Sequence, residues 1–298
     1  MDLTWLGDVQ PSRPRRVAIG EFDGVHLGHR AVIDDADTVL TFDPHPRAVV
    51  APAAAPKLIT DLQTKADVIR GLGVSELVVI PFDEAFAAQS AQAFIDDILV
   101  GRLNATEVRV GENFRFGHKA QGDVDLLRAQ AAFSTQVSQM VEVDGEIVSS
   151  THIRGLIVAG EMDKAARFLG LPFSLRGVVG HGDKRGRTLG YPTANLVPDN
   201  ALIYPGNGVY ACRAAVEEPG GEWAWWPAAV SIGVRPTFVT GRGVLIEAYL
   251  IGFEGDLYGR ELRLAFLERL RGERRFDSVE ALVEQMHRDV ERTESIAA

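Results

Sequence analysis

The sequence has 298 residues, a length at which one hydrophobic core seldom keeps growing, so we expect two domains. Hydrophobic residues make up 46% and charged residues 24%, which is typical of folded globular proteins and excludes a disordered or collagen-like chain. The formal net charge of −10 argues against a nucleic-acid-binding protein, because a strongly negative surface repels phosphate backbones.

The distribution of apolar residues and of cysteine predicts a soluble, cytoplasmic protein. No window approaches the about 20 apolar residues needed to cross a bilayer, and residues 1–16 lack the apolar core of a secretory signal. The single cysteine, Cys212, excludes an internal disulfide and a thiolate zinc site. We expect it to be a small buried side chain.

The first half of the chain alternates short apolar runs with helical patterns. Runs rich in valine and isoleucine predict strands at residues 17–20, 39–42, 77–81 and 108–111. Helical periodicity predicts helices at residues 61–72, 89–103, 122–132 and 153–169. This alternation indicates βαβ units around a parallel sheet. Gly170 and Pro172 form a stop signal after the last helix, so we place the domain boundary there, giving domains 1–170 and 171–298.

The second half consists of short strand-like segments separated by glycine, proline and asparagine. Strands are predicted within residues 175–182, 208–216, 226–233, 244–253 and 261–270, a spacing that indicates an antiparallel β-barrel or sandwich. A final helix is predicted after Asp277, which can cap it, with Glu280 at its third position. One face of that helix is apolar, so we expect it to pack on the barrel.

A loop rich in glycine and histidine follows the first predicted strand. His26 and His29 are three residues apart, which places both imidazoles on one side of a first helical turn whose N–H groups are free. Glycines beside them let the main chain approach phosphate closely. The sequence therefore predicts an anion site, with candidate phosphate-binding residues Gly20, Phe22, Asp23, Gly24 and Gly28.

The segment GEFDGVHLGH resembles the signature of the HxGH nucleotidyltransferases, in the form found in prokaryotic bifunctional riboflavin kinase/FAD synthetases. TFDPHP at residues 41–46, VGENFRFG at 110–117 and VSSTHIR at 148–154 resemble the remaining N-terminal motifs of that family, in the same order. The resemblance implies a Rossmann-like domain that adenylylates FMN to FAD with ATP and releases pyrophosphate.

The same resemblance assigns roles to residues in these motifs. His26 and His29 would contact the triphosphate during this transfer. The pyrophosphate-binding segment would comprise Ser149, Ser150, Thr151 and Arg154. His45 and Asn113 are candidates for nucleotide or flavin contact, and a role in stabilising their loops is equally open.

The connection between the first two predicted strands is short. Residues 21–37 leave room for only about two helical turns after the loop that is rich in glycine and histidine. The family pattern implies a longer connection, so this is where we expect the nucleotide pocket to differ from those of relatives.

A second phosphate-binding segment is predicted at residues 181–196, HGDKRGRTLGYPTANL. Its spacing fits neither a Walker A loop nor a protein-kinase glycine loop. Glycines expose N–H groups and cations supply counter-charge, so candidate phosphate-binding residues are Gly182, Lys184, Gly186, Arg187 and Gly190. Thr193 and Asn195 offer neutral oxygen ligands on alternate residues of a strand, which suits one side of a Mg²⁺ ion.

This segment resembles the hallmark of the riboflavin kinase barrel. The resemblance implies that the second half phosphorylates riboflavin to FMN with ATP and Mg²⁺. Glu247, a charged residue in an apolar strand, would be the general base, and Arg271 is a candidate flavin contact. The sequence leaves open a riboflavin kinase without adenylyltransferase activity and a non-catalytic flavin or nucleotide sensor, as well as the oligomeric state.

Overall fold

The computed structural model describes residues 1–180, 190–197, 199–218, 221–235 and 243–298. It divides into two compact units, Met1–Ser150 and Thr151–Ala298. The segment between residue 151 and the predicted boundary at residue 170 contains a helical pair, described below. The boundary at residue 170 stays a prediction.

The first unit contains a six-stranded sheet in which every pairing is parallel. In chain order the strands are β1 (Asp2–Trp5), β2 (Arg15–Ile19), β3 (Thr38–Asp43), β4 (Glu76–Pro81), β5 (Ala105–Gly111) and β6 (Ser134–Ser138). They lie side by side in the order β1-β4-β3-β2-β5-β6. The four predicted strands are the four inner ones, whose apolar runs are buried on both faces. This confirms the predicted parallel α/β organisation, although both edge strands escaped prediction.

Helices cover both faces of this sheet, with an apolar core on each side. They are α1 (Leu27–Ile33), α2 (Pro46–Val50), α3 (Leu62–Gly71), α4 (Glu84–Ala87), α5 (Ala91–Ala93), which continues into a π-helical segment (Phe94–Arg102), and α6 (Val124–Arg128). The seven residues of α1 confirm that the first connection holds only about two turns. The prediction of a helix over residues 122–132 was too long, because Asp123 caps the helix and it ends before β6.

Two helices precede the barrel, α7 (Ser150–Ala159) and α8 (Met162–Leu169). The prediction of one continuous helix over residues 153–169 was wrong. Gly160 separates the two with a φ of 81°, and a Cβ there would lie 2.8 Å from Arg269 Cδ and 2.9 Å from the Tyr210 hydroxyl. Gly170, with a φ of 74°, ends α8 in the left-handed conformation, as the stop signal predicted.

The rest of the second unit is a closed antiparallel barrel, which decides between the predicted barrel and sandwich. Its strands are β9 (Phe173–Gly180), β10 (Ala194–Val197), β11 (Gly208–Glu217), β12 (Trp223–Arg235), β13 (Gly243–Leu250) and β14 (Glu261–Arg271). They pair in the order β10-β13-β12-β11-β14-β9. Cys212 is fully buried in β11, as predicted.

A terminal helix, α9 (Val279–Ala297), packs on the barrel strands β11, β12 and β14, as expected. The predicted cap was wrong by one residue. The hydroxyl of Ser278, not the carboxylate of Asp277, accepts the N–H of Ala281, so Glu280 occupies the second helical position.

Candidate active sites

The phosphate loop, residues 20–26 between β2 and α1, has an unusual backbone conformation. Phe22 and Val25 have φ values of 49° and 41°, and Gly24 has a φ of 84°. Such conformations cost free energy in residues other than glycine and persist only where surrounding contacts impose them. A Cβ at Gly24 would also lie 3.1 Å from two side-chain carbons of Ile59, so both the backbone conformation and the close contact favour glycine there.

Side chains on this loop bond to the segment that leads into α3. The Asp23 carboxylate, which is buried, accepts the N–H groups of Ile59 at 2.8 Å and Thr60 at 3.1 Å. The N–H of Gly24 donates to the Thr60 hydroxyl at 3.1 Å. Asp23, predicted as a phosphate-binding residue, therefore shapes the loop through main-chain groups.

His26 and His29 lie together at the start of α1. Their rings stack with centroids 3.5 Å apart, and the ring of Phe22 meets His29 edge-on at 5.4 Å. Nδ1 of His26, the N-cap residue, accepts the N–H of His29 at 3.2 Å. The proton of a neutral His26 ring therefore lies on Nε2, which makes Nε2 a donor of the kind that phosphate oxygens accept. The absence of a side chain at Gly28 makes room for this ring, since a Cβ there would lie 3.2 Å from His26 Cε1.

The predicted pyrophosphate-binding segment begins beside this loop. The Ser150 hydroxyl donates to the main-chain oxygen of Asp23 at 3.2 Å, which places Ser149 and Ser150 next to the phosphate loop. Thr151 is exposed and Arg154 is partly buried, and both belong to the second unit. Their role in binding pyrophosphate stays a prediction.

A cavity of about 900 Å³ opens beside Gly20 and Glu21. His45 and Asn113 line it, and their contact with a nucleotide or flavin stays a prediction. His45 also accepts the N–H of Arg47 at 3.0 Å and so caps α2, which is a structural role. Sequence reasoning missed the aromatic wall of this cavity, which consists of Phe42, Phe82, Phe86, Phe94, Phe114 and Phe116.

Two charged residues adjoin the phosphate loop, Lys65, which is buried, and Glu21, which is partly buried. Burial raises the pKa of Glu21 to about 8, against the opposing effect of Lys65. Burial also lowers the pKa of Lys65, while the carboxylates of Glu21, Asp23 and Asp43 oppose that shift. Neither Glu21 nor Lys65 was predicted, because lysine and glutamate near a helix are usually exposed to solvent.

In the second unit the predicted residues meet on adjacent strands of the barrel. Asn195 of β10 lies directly opposite Glu247 of β13, and Glu247 lies opposite Ser231 of β12. Directly paired residues share a face. Because Ala194 and Ala248 are buried inside the barrel, Asn195 and Glu247 lie on its outer face, and Thr193 has the same alternation.

Two cavities lie against this part of the barrel. One, of about 590 Å³, lies between the barrel and α9 and is lined by Glu247, Thr193 and Arg271. The other, of about 640 Å³, is lined by Pro192, Thr193, Phe253, Asp256, Leu257 and Tyr258 among others. Thr193 therefore lies at the boundary between two cavities, a position from which one side chain can reach ligands in both.

Arg271 is held by a residue that sequence reasoning did not single out. Its guanidinium pairs with the Asp289 carboxylate of α9 at 2.8 Å, and Gln285 donates to the same carboxylate at 2.9 Å. The pair fixes α9 above the smaller cavity, since the side chains of Arg271 and Asp289 are only 17% and 8% exposed.

Part of the predicted phosphate-binding segment lies outside the described residues, namely Gly182, Lys184, Gly186 and Arg187. Gly190 is described and has a φ of 86°. Among the described residues, no cluster of three or more His, Cys, Asp or Glu side chains could hold a metal ion. The role of Thr193 and Asn195 as magnesium ligands stays a prediction.

Comparison with known proteins connects both units to established families. A family model described as FAD synthetase matches residues 9–152, and one described as riboflavin kinase matches residues 169–297. A solved structure described as a macrolide-efflux protein from Streptococcus pneumoniae has a TM-score of 0.88 and 29% identity, covering 99% of both chains. In the part of the present chain that the structure describes, no helix is long and apolar enough to span a membrane.

Curated bifunctional riboflavin kinase/FMN adenylyltransferases are similar over most of their length. The protein from Pseudomonas fluorescens is 36% identical, with 98% of this chain and 96% of the relative covered. The protein from Bacillus subtilis is 38% identical, with 92% and 89% covered, and that from Escherichia coli is 37% identical, with 92% and 90% covered. The chain belongs to the family of bifunctional riboflavin kinase/FMN adenylyltransferases.

Proposed function

We propose that the second unit phosphorylates riboflavin to FMN with ATP and that the first unit transfers AMP from a second ATP to FMN, giving FAD and pyrophosphate. The family models and the relatives support both activities. The observation that carries the proposal is that candidate site residues line a cavity of ligand size in each unit, Gly20, His45 and Asn113 in the first and Thr193 and Glu247 in the second. Two separate sites in one chain are what two successive transfers require.

For the kinase reaction, Glu247 is the general base. Its carboxylate accepts the proton of the terminal ribityl hydroxyl while that oxygen attacks the γ-phosphorus of ATP, and ADP leaves. Riboflavin occupies the cavity under α9, where Glu247 and Arg271 line the wall. ATP occupies the neighbouring cavity, so that its γ-phosphate reaches the flavin hydroxyl beside Thr193.

The residues present fit a Mg²⁺ ion in the kinase site. Thr193 and Asn195 carry neutral oxygen donors on one face, next to Glu247, and hard divalent cations prefer oxygen ligands. With only two such protein ligands, the remaining positions suit phosphate oxygens and water. When bound, the ion would neutralise the charge of the β- and γ-phosphates.

For the adenylyl transfer, a phosphate oxygen of FMN attacks the α-phosphorus of ATP and the bond to pyrophosphate breaks. The nucleophile is already an anion, so the protein aligns the reactants and compensates developing charge. His26 and His29 donate to the triphosphate, while Ser149 and Ser150 bind the departing pyrophosphate. The aromatic wall of the adjoining cavity receives the flavin ring, since aromatic faces stack on one another.

The test separates the two activities by substrate. The purified chain is incubated with ATP and Mg²⁺ plus either riboflavin or FMN, and the flavins are resolved by chromatography. We expect FMN and then FAD from riboflavin, and FAD directly from FMN. FMN as the sole product would reduce the proposal to a riboflavin kinase, the outcome that the short first connection would explain. Unchanged riboflavin and FMN would contradict both activities.

A further inference from the structure

Lys65 is a cation that the chemistry above does not use. It lies in α3, and its side chain is almost completely enclosed, with a relative exposure of 6%. Its ammonium group donates to the main-chain oxygen of Glu21 at 2.7 Å and to the Thr41 hydroxyl at 3.3 Å. Burying a lysine side chain costs free energy unless its charge is paired and hydrogen-bonded. The two hydrogen bonds of Lys65 offset part of that cost.

Lys65 and Thr41 bond to the same atom. The Thr41 hydroxyl donates to the Glu21 main-chain oxygen at 3.1 Å, so Lys65, Thr41 and Glu21 form a closed network of three hydrogen bonds. The three residues come from α3, from β3 and from the loop after β2. The network therefore joins the phosphate loop to both neighbouring elements at one carbonyl.

The Glu21 carbonyl lies near the beginning of the phosphate loop. Glu21 directly precedes the residues with positive φ, which begin at Phe22 and end at Val25. Further along, Asp23 and Gly24 bond to residues 59 and 60. Lys65 holds the beginning of the loop, and the residues before α3 hold its middle. His26 lies at the end of the same loop and caps α1.

We propose that Lys65 is a positioning residue for adenylyl transfer, which sets the phosphate loop, and through it His26 and His29, by holding the Glu21 carbonyl. Lys65 itself need not touch substrate. The inference rests on the proposed adenylyltransferase function. Small displacements of groups that contact a transition state reduce turnover strongly, so loss of the ammonium group should lower kcat more than it raises the KM for ATP.

The first test is Lys65→Met, which keeps a long apolar side chain and removes the charge. We expect kcat for FAD formation from FMN to fall about 10- to 100-fold. Riboflavin phosphorylation in the same protein should keep its rate, which reports on the second unit, and an unchanged thermal unfolding curve by circular dichroism reports that the first unit is folded. Arg70→Met is the matched control, because it removes a cation from the exposed end of the same helix, where its partner is Asp67. That control should retain both activities.

The second test is Thr41→Val, which removes the hydroxyl group without changing a charge. This variant serves as the test if Lys65→Met does not fold. We expect kcat for FAD formation to fall about fivefold, the equivalent of one neutral hydrogen bond. Because both side chains act on one carbonyl, the double variant should be no slower than Lys65→Met alone. If the kcat losses of the two single variants multiply in the double variant, the two side chains act independently and the proposal is overturned. An unchanged kcat in Lys65→Met would also overturn it. If the unmodified chain forms no FAD at all, the proposed function fails together with this inference.

Discussion

In the first unit the candidate phosphate-binding residues lie on one loop between a strand and a helix, whereas in the second unit the catalytic candidates lie on paired strands of a closed barrel. The loop owes its conformation to side-chain bonds, from Asp23, Thr60 and Lys65. The pairing of Asn195, Glu247 and Ser231 follows from main-chain register. One substitution can remove a side-chain hydrogen bond and so displace the loop. A side-chain substitution leaves the main-chain hydrogen bonds between strands in place, so the strand register is kept. Substitutions in the barrel should therefore remove chemistry while preserving geometry.

The largest effect is expected for Glu247→Gln, which keeps the shape of the side chain and removes the base. Riboflavin phosphorylation should fall about 10²- to 10⁴-fold, the usual contribution of a general base. Conversion of FMN to FAD should be unchanged, because it takes place in the other unit. Chromatography of the flavins measures both. Glu222→Gln, at an exposed position of the same unit, is the control, and loss of both activities in Glu247→Gln would refute separate sites.

A slightly smaller loss is expected for His29→Ala in the first unit. FAD formation should fall about 10²- to 10³-fold, as when one preorganised donor is removed from a transition state. Riboflavin phosphorylation in the same sample should stay at its original rate. Wild-type FAD synthesis in this variant would show that the stacked pair His26 and His29 does not serve the transfer.

Arg271→Met tests whether the barrel's helix is held by the buried ion pair. Removal of Arg271 leaves the Asp289 carboxylate buried without its partner, and we expect the free energy of unfolding of the barrel to fall by about 3 kcal/mol. Denaturation followed by tryptophan fluorescence measures this, because three of the four tryptophans, Trp223, Trp225 and Trp226, lie in the barrel; replacing Trp5 of the first unit by phenylalanine in all samples confines the signal to the barrel. Arg288→Met is the matched control on the same helix, because its pair with Glu284 is exposed and worth about 0.5 kcal/mol or less. Equal losses in the two variants would contradict this account.

A further prediction concerns Glu21 and the pH dependence of stability. Because its pKa in the folded chain is raised from 4.5 to about 8, the folded state binds this proton more tightly than the unfolded state. The stabilisation is complete below pH 4.5 and is lost as the pH rises to about 8. Glu21→Gln stays neutral, so its unfolding temperature should rise relative to the unmodified chain between pH 5 and pH 8. Glu112→Gln, at an exposed site, should show no such trend, and a pH-independent difference for Glu21→Gln would contradict the burial of this carboxyl.

The inner elements of both units could be predicted from sequence because their patterns are local. The inner strands of the parallel sheet are continuous apolar runs, and Gly170 marks the end of a helix in the residues themselves. The edge strand β6, with the sequence STQVS, has no such run, because one of its edges and much of its surface face solvent. The interruption at Gly160 depends on Arg269 and Tyr210, which lie far away in the sequence.

Site residues could be predicted where a sequence motif contains the reactive groups. They could not be predicted where a residue's role depends on contacts between distant parts of the chain. His26, His29, Thr193, Asn195 and Glu247 stand out as reactive or ligating groups in recognisable segments. Lys65 does not, because a lysine on a helix is normally solvated and only the fold reveals that it is enclosed. Asp289 likewise lies in a helix rich in charges, and its pairing with Arg271 follows from packing of α9 on the barrel.

The central claim is that two independent sites act in succession, and a complementation experiment tests it most directly. Glu247→Gln and His29→Ala proteins are incubated with riboflavin, ATP and Mg²⁺, first separately and then mixed. We predict unchanged riboflavin from the first, FMN alone from the second, and FAD from the mixture, since FMN released by one protein can be used by the other. A mixture that accumulates FMN without forming FAD would contradict two sites that work independently.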